Sequence, residues 1–152
     1  MSKKEILHLL KGTDFFLGVF SADEISKLKI VRYPCLFIVN VVEKKIRVGH
    51  WLAIRIDQMH VEIFDSLGFR EEKWGISSPN LKSFVNSYRM THTIIVSPIL
   101  QSQNSYTCGY YSLFFILFRS AYSFKKLTNY FSSNYALNDE RVLQAVFGKI
   151  NE

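Results

Sequence analysis

An α+β class is predicted for this 152-residue chain by three observations. Strand-like runs rich in β-branched and aromatic residues cluster between Cys35 and Phe64. Helical patterns with recognisable caps lie at both ends, near Ser2 and after Asn138. An almost unbroken apolar run, Tyr110 to Phe118, is long enough for a buried helix and too short to cross a bilayer. One domain over residues 1–152 is expected, because this length supports a single sizeable core.

The elements follow in order. Ser2-Lys3-Lys4-Glu5 has the form of a capping box, Ile6, Leu9 and Leu10 fall at helical spacing, and Gly12 is the predicted stop. Phe15 to Phe20 is a short apolar segment, and Ser21-Ala22-Asp23-Glu24 repeats the capping signature ahead of Ile25 and Leu28. After Pro34, Cys35 to Val42 reads as a buried strand and Glu43-Lys44-Lys45 as a charged turn. Ile46–Ile56 and His60–Phe64 form a predicted hairpin turning at Asp57-Gln58. Ser78-Pro79 opens a helix with Leu81, Phe84, Val85 and Tyr88 on one face. Thr93 to Val96 is strand-like and ends at Pro98. After the run that starts at Cys108 come helices near Phe124–Phe131 and from Asn138, the last with Asp139 and Glu140 in its first turn and Gly148 as its stop.

Composition narrows the function classes. The net charge of +6, from 19 basic and 13 acidic residues, suits a polyanionic partner such as DNA, although a solvated basic face gives the same count. Two cysteines, Cys35 and Cys108, exclude a disulfide framework and fit a reducing, intracellular compartment. The N-terminus leads into an amphipathic pattern and not into an apolar signal core, so no membrane association is expected. His8, His60 and His92 have no ligand-type spacing with the cysteines, so no metal site is expected.

The chemistry concentrates at Gln101–Phe118, where a polar loop passes through Cys108 and Gly109 into the apolar run. A helix beginning there aims its free N–H groups and positive dipole end at the sulfur, which favours a thiolate. Ser105 and Thr107 are candidate N-caps, and Gly109 admits a tight entry into the helix. The bland alternative is a buried cysteine heading a core helix. With the hairpin turn centred between Asp57 and Gln58, His50 and Asp65 stand directly opposite each other, close enough for a carboxylate to bond an imidazole N–H. Asp65 would orient His50, and His50 would take the proton of Cys108. The backbone N–H of Cys108 and the amides of Gln101 and Gln103 are the candidate oxyanion donors. In isolation each has a duller reading: a structural histidine, an aspartate capping the turn before Gly68, and ordinary loop polars.

The segments Gly49-His50-Trp51-Leu52-Ala53, Phe64-Asp65-Ser66-Leu67-Gly68-Phe69 and Gln101 to Gly109 together resemble the adenovirus-type cysteine protease (adenain) family. That family is related to the ubiquitin-like-protein proteases and is represented in Maverick/Polinton-type DNA transposons. Phe15-Phe16-Leu17-Gly18 and Cys35 to Asn40 extend the likeness over about residues 10 to 118. It implies a papain-like architecture, with a mostly antiparallel central sheet and the nucleophile at the start of a buried central helix. Carried over by position, Cys108 is the nucleophile, His50 the general base, Asp65 the orienting acid and Gln101 the oxyanion donor. Gln103 ranks second, Trp51 packs beside His50, and Gly109 follows the nucleophile.

The resemblance also implies processing of viral or mobile-element precursor proteins at Gly-containing sites, in the host nucleus or virion. It implies no cofactor for the chemistry, but DNA or a non-covalent peptide as activator. Asp65 stands where the adenovirus enzymes carry Glu; the related ubiquitin-like-protein proteases use Asp. No cysteine lies between His50 and Gln101, so covalent peptide activation does not carry over. A monomer is expected. The alternatives are a deubiquitinase or ubiquitin-like-modifier protease with the same chemistry, and a non-catalytic basic DNA-binding module on a protease fold, resting on Lys44, Lys45, Arg47, Arg119, Lys125 and Lys126.

Overall fold

The computed structural model describes residues 1–42, 49–69 and 78–152. Five strands form one sheet in sequence order: β1 (Phe16–Ser21), β2 (Cys35–Asn40), β3 (Trp51–Ile56), β4 (His60–Phe64) and β5 (Thr93–Val96). The antiparallel character that the sequence predicts belongs to the three central strands, β2, β3 and β4. The outer pairings, β1 with β2 and β4 with β5, are parallel. The charged turn at Glu43-Lys44-Lys45 and the first residues of the expected Ile46–Ile56 strand lie outside the described residues. Strand β3 begins at Trp51, so His50 precedes it instead of lying within it.

Helices cover both faces, which is why β2 reads as a continuous apolar run and not as an alternating one. On one face Leu36, Ile38, Ala53 and Phe64 pack beneath α1 (Lys3–Leu9), α3 (Cys108–Phe118) and α5 (Tyr135–Ile150). On the other, Phe37, Val39, Leu52, Ile54 and Ile63 pack against Leu81 and Val85 of α2 (Pro79–Asn86). The short α4 (Phe124–Asn129) adds Phe124 and Leu127 to the first cluster. Helix α3 lies across β3 and against α5. Its residues Tyr111 to Ile116 are all buried, so it is the core helix that the apolar run predicts.

Local signals explain most boundaries. Ser2 and Glu5 form the reciprocal capping box, and Gly12 takes a left-handed φ of 81° just past α1. Ser21 and Glu24 make the side-chain half of the second capping pattern, but Ile25–Lys27 completes only one 3-10 turn. Ser78 caps α2 with Pro79 at its first position. Three expectations are corrected. Helix α5 starts at Tyr135, capped by Asn134, so Asp139 sits in its second turn. Gly148 does not stop it, since the helix runs on to Ile150. Neither Ser105 nor Thr107 caps α3: Thr107 occupies the N-cap position, but its hydroxyl donates to Asp139 at 3.0 Å.

The hairpin register is also corrected. Ala53 pairs with Phe64 and Ile56 with Val61, a displacement of two residues from the predicted pairing. The cause is Asp57, whose Oδ1 accepts from the N–H groups of Met59 at 2.8 Å and His60 at 2.7 Å. This side-chain turn centres the loop on Gln58-Met59 and leaves Asp57 and His60 as the closing pair, Asp57 N–H donating to His60 O at 3.0 Å.

Two core features invite mutation. Phe64 is fully buried and stacks on Phe115 with ring centroids 4.9 Å apart, so Phe64→Ala should cost about 3–5 kcal/mol, read from urea unfolding midpoints at constant m. Ser112 Oγ is buried on α3 with no hydrogen-bond partner among the described residues. Ser112→Ala should therefore leave stability unchanged or raise it by about 1 kcal/mol, checked by the same measurement.

Candidate active site

The site forms where three chain segments meet: the entry to β3, the exit from β4, and the start of α3. Asp65 follows β4 directly and is fully buried. His50 precedes β3 and is 8% exposed. The His50 imidazole donates from Nε2 to Asp65 Oδ1 at 2.5 Å. The predicted pair therefore meets, but not as directly opposed strand partners. Extended into the loops, the observed register would set Asp65 level with Leu52, so the two side chains close a diagonal beyond the regular ladder.

Asp65 plays the turn-capping part as well. The same Oδ1 accepts from Leu67 N–H at 3.0 Å, and Asp65 O accepts from Gly68 N–H at 2.9 Å. The two readings offered by the sequence are one arrangement, in which the turn fixes the carboxylate that fixes the imidazole. Gly68 has φ 75°, and a Cβ there would press to 2.8 Å from Ile99 Cγ1. At Gly49, beside His50, a Cβ would overlap the Asn40 side-chain oxygen. Both glycines are required by space, and Gly68 by backbone conformation too.

Cys108, the first residue of α3, is partly exposed and hydrogen-bonds to the His50 side chain. With Nε2 engaged by Asp65, the imidazole's other nitrogen, Nδ1, is the one left for sulfur. Burial acts against the thiolate, but the hydrogen bond and charge of His50, with hydrogen bonds from the Trp51 and Gly109 backbones, outweigh it and hold the thiol below its usual range. For His50, burial opposes protonation, but the bonds to Asp65 and Cys108 and the attraction of both overcome it and push the imidazole up to about 9. Together these shifts favour a thiolate–imidazolium pair. Cys35 contrasts: it is buried in β2, and burial pushes its thiol up to about 11.

Gln101 is 2% exposed, with its amide fixed on both sides. Its Oε1 accepts from Ser66 Oγ at 2.6 Å, and its Nε2 donates to Ser105 O at 2.9 Å. Ser66 O in turn accepts from the N–H groups of Leu100 and Gln101 at 2.8 and 3.0 Å. Gln101 and Cys108 line one cleft with His50, Trp51 and Leu67, about 630 Å³ in volume. Gln103 is exposed and does not line it. Trp51 packs at the site as expected, its Nε1 donating to Met1 O at 3.2 Å. Gly109 serves a different purpose from the predicted tight turn, since a Cβ there would meet Met1 Sδ at 3.0 Å and Trp51 Cδ1 at 3.5 Å.

Sequence reasoning missed three contributors. Ser66 is indistinguishable from a turn serine until its partner Gln101 is known. Met1 reaches the cleft only through the path of α1. Tyr106, 92% exposed at the cleft rim, could have been noticed as an aromatic next to a reactive loop. A larger cleft, about 730 Å³, lies between Asp14–Leu17 and Lys29–Cys35 and holds none of the candidate residues. The remaining histidines lie elsewhere: His60 is beside Asp57, and His92 packs edge-on against Tyr88. Of the basic residues, Arg119 is held by Glu62 through two bonds of 2.8 Å and Lys126 lies over the Tyr122 ring; Lys44, Lys45 and Arg47 fall outside the described residues. Among the described residues no helix is long and apolar enough to cross a membrane.

No protein-family model matches the chain, and no curated protein matches it. Solved structures do. ChlaDub1 from Chlamydia trachomatis superposes with a TM-score of 0.51 at 14% identity, over 78% of this chain and 60% of that one. The ASFV pS273R protease gives a TM-score of 0.41 at 22% identity, over 75% and 46% of the two chains. The SUMO protease Ulp1, solved with its catalytic cysteine oxidised to a sulfinic acid, gives 0.42 at 14% identity, over 97% and 76%. This chain thus spans less than two thirds of the length of the first two. At these identities the likeness is one of fold, and the α+β fold of this chain is that of ChlaDub1.

Proposed function

We propose that this protein is a cysteine endopeptidase in which Cys108, His50 and Asp65 act as a triad and Gln101 as oxyanion donor. The observation that carries the reading is the convergence of His50, Gln101 and Cys108, 58 residues apart from His50 to Cys108, on one open cleft, with Asp65 buried behind His50 and bonded to it. The Cys108 thiolate attacks the scissile carbonyl carbon, and its electron pair moves onto the carbonyl oxygen. The resulting oxyanion takes the second N–H of the Gln101 amide, the first being held by Ser105 O, together with the backbone N–H of Cys108. The His50 imidazolium donates its proton to the leaving amine as the C–N bond breaks, leaving a thioester on Cys108. His50, now neutral, takes a proton from water as the hydroxide oxygen bonds to the acyl carbon. Collapse of the second tetrahedral intermediate expels the thiolate and frees the acid. Asp65 keeps Nδ1 aimed at sulfur throughout and stabilises the charged ring.

The substrates in this reading are viral or mobile-element precursor proteins cut after small residues, often glycine, as in the adenain family. Trp51, Met1 and Leu67 line the cleft beside Cys108. Asp65 in place of Glu favours a second reading, removal of a ubiquitin-like modifier by the same chemistry. Labelling of Cys108 by a ubiquitin vinyl-type probe, without cleavage of a precursor peptide, would decide for it. DNA or a peptide as activator, a role in the nucleus or virion and a monomeric state belong to the proposal as well; added DNA should raise turnover in a salt-dependent manner.

Cys108→Ala and His50→Ala should each lower kcat/KM on a Gly-containing peptide by at least about 10³-fold, roughly 4 kcal/mol of transition-state stabilisation. Turnover equal to wild type in Cys108→Ala removes the thiol mechanism. The same pair sets the pH dependence. Iodoacetamide should alkylate Cys108 below the range of an ordinary thiol, because the thiolate is held by His50. Turnover should fall as pH rises through about 9, because His50 then loses the proton that the leaving amine needs. Alkylation rising only with a normal thiol titration would contradict the ion pair.

A further inference from the structure

The loop from Gln101 to Thr107 carries the proposed oxyanion donor at one end and delivers the proposed nucleophile at the other. Both ends are tied to α5. Asp139 Oδ1 accepts from Thr107 Oγ1 at 3.0 Å and from the Tyr111 hydroxyl at 2.9 Å. The same Tyr111 hydroxyl lies 3.2 Å from Leu100 O, which also accepts from Nδ2 of the adjacent Asn138 at 3.0 Å. Inside the loop, Ser105 Oγ is 2.9 Å from Thr107 Oγ1, and Ser105 O holds the Gln101 amide at 2.9 Å.

Two of these groups can only accept, the Asp139 carboxylate and the Leu100 carbonyl. Thr107 gives its hydrogen to Asp139, and the single Tyr111 hydrogen is shared between Asp139 Oδ1 and Leu100 O. The Thr107 oxygen is then left to accept from Ser105, whose hydroxyl also reaches Ser102 O at 3.1 Å. A chain of contacts then runs from the carboxylate through Thr107 and Ser105 to the Gln101 side chain. A second runs through Tyr111 and Leu100 to the Gln101 backbone. A merely structural account would have Thr107 cap its own helix, as its N-cap position invites, and Tyr111 bond only to Leu100. Thr107 instead leaves the helix N–H groups uncapped by its side chain and reaches across to α5.

We propose that Asp139 is a positioning residue, whose carboxylate fixes the separation between Gln101 and Cys108 so that sulfur and oxyanion donor address the same carbonyl. It touches neither reacting atom, and its effect passes through Thr107 and Tyr111. The inference rests on the reading of Cys108 and Gln101 given above. The bond between His50 and Asp65, and the one from Leu67 to Asp65, lie outside α5.

The test compares wild type, Asp139→Ala, Asp139→Asn and Thr107→Val by peptide kinetics, iodoacetamide alkylation against pH, and amide hydrogen exchange. Asp139→Ala should lower kcat by about 10- to 100-fold while KM moves less than about threefold, as misplacement of reacting groups does. Its alkylation profile should match wild type, and exchange should quicken over residues 101–108 while Val142–Ile150 stay protected. Asp139→Asn, whose amide oxygen accepts the same two hydrogens, should recover kcat to within about threefold, and Thr107→Val should move in the direction of Asp139→Ala. A kcat for Asp139→Ala within threefold of an active wild type overturns this proposal and leaves the protease reading standing. So does a loss that Asp139→Asn fails to rescue and that is matched by slower alkylation and faster exchange throughout α5, which is the mark of damaged folding. A wild type without Cys108-dependent hydrolysis overturns the protease reading, and the positioning role of Asp139 with it.

Discussion

A proton shared within a nearly dry corner of the molecule is the constraint on which this structure turns. His50 is enclosed, and a charged imidazole in such a place is tolerable only with partners on both nitrogens. Asp65 supplies one and Cys108 the other. Neither partner is near in sequence, so each has to be delivered by an element of its own. Strands β3 and β4 deliver the imidazole and the carboxylate side by side, and α3 brings the sulfur in across β3. The layered arrangement, with its sheet covered on both faces, is the scaffold on which these three deliveries coincide.

The loops around the site are tied to one another more than to the surface. The Asp65–Gly68 turn carries the carboxylate and, through Ser66, grips the backbone and the side chain of Gln101. One short turn therefore holds both the carboxylate bonded to His50 and the amide of Gln101. A bridge between Leu67 and Ile99 adds a strand-like contact between the same segments. At the far end of α3, Arg119 makes a two-pronged pair with buried Glu62 on β4, which fixes the helix to the sheet there as well.

Much of this was legible in the chain. The capping box at Ser2, the Ser-Pro start of α2 and the apolar run of α3 are local signals, and local physics decides them. So does the choice of His50, Asp65, Gln101 and Cys108, whose residue types and order are meaningful before any coordinate is known. The misreadings share a cause, a competing partner distant in sequence or hidden in a side chain. Asp57 took two backbone N–H groups and moved the hairpin centre by one residue. Capped by Asn134, α5 begins at Tyr135, three residues before the expected start, because Asn138 was already engaged with Ser132 and Leu100. Thr107 found Asp139, 32 residues away, in preference to its own helix. Parallel pairing at the sheet edges leaves no imprint on a strand's own sequence.

The second thiol has a quieter consequence. Cys35 is 6% exposed at the start of β2, where it pairs with Ile56 of β3, and its acidity is suppressed where that of Cys108 is enhanced. The molecule thus offers one sulfur to an electrophile and keeps the other covered at the start of β2, beside the larger cleft. The two thiols differ in cover and in acidity alike, so a reagent that reads thiolate reports on the helix tip and not on the sheet.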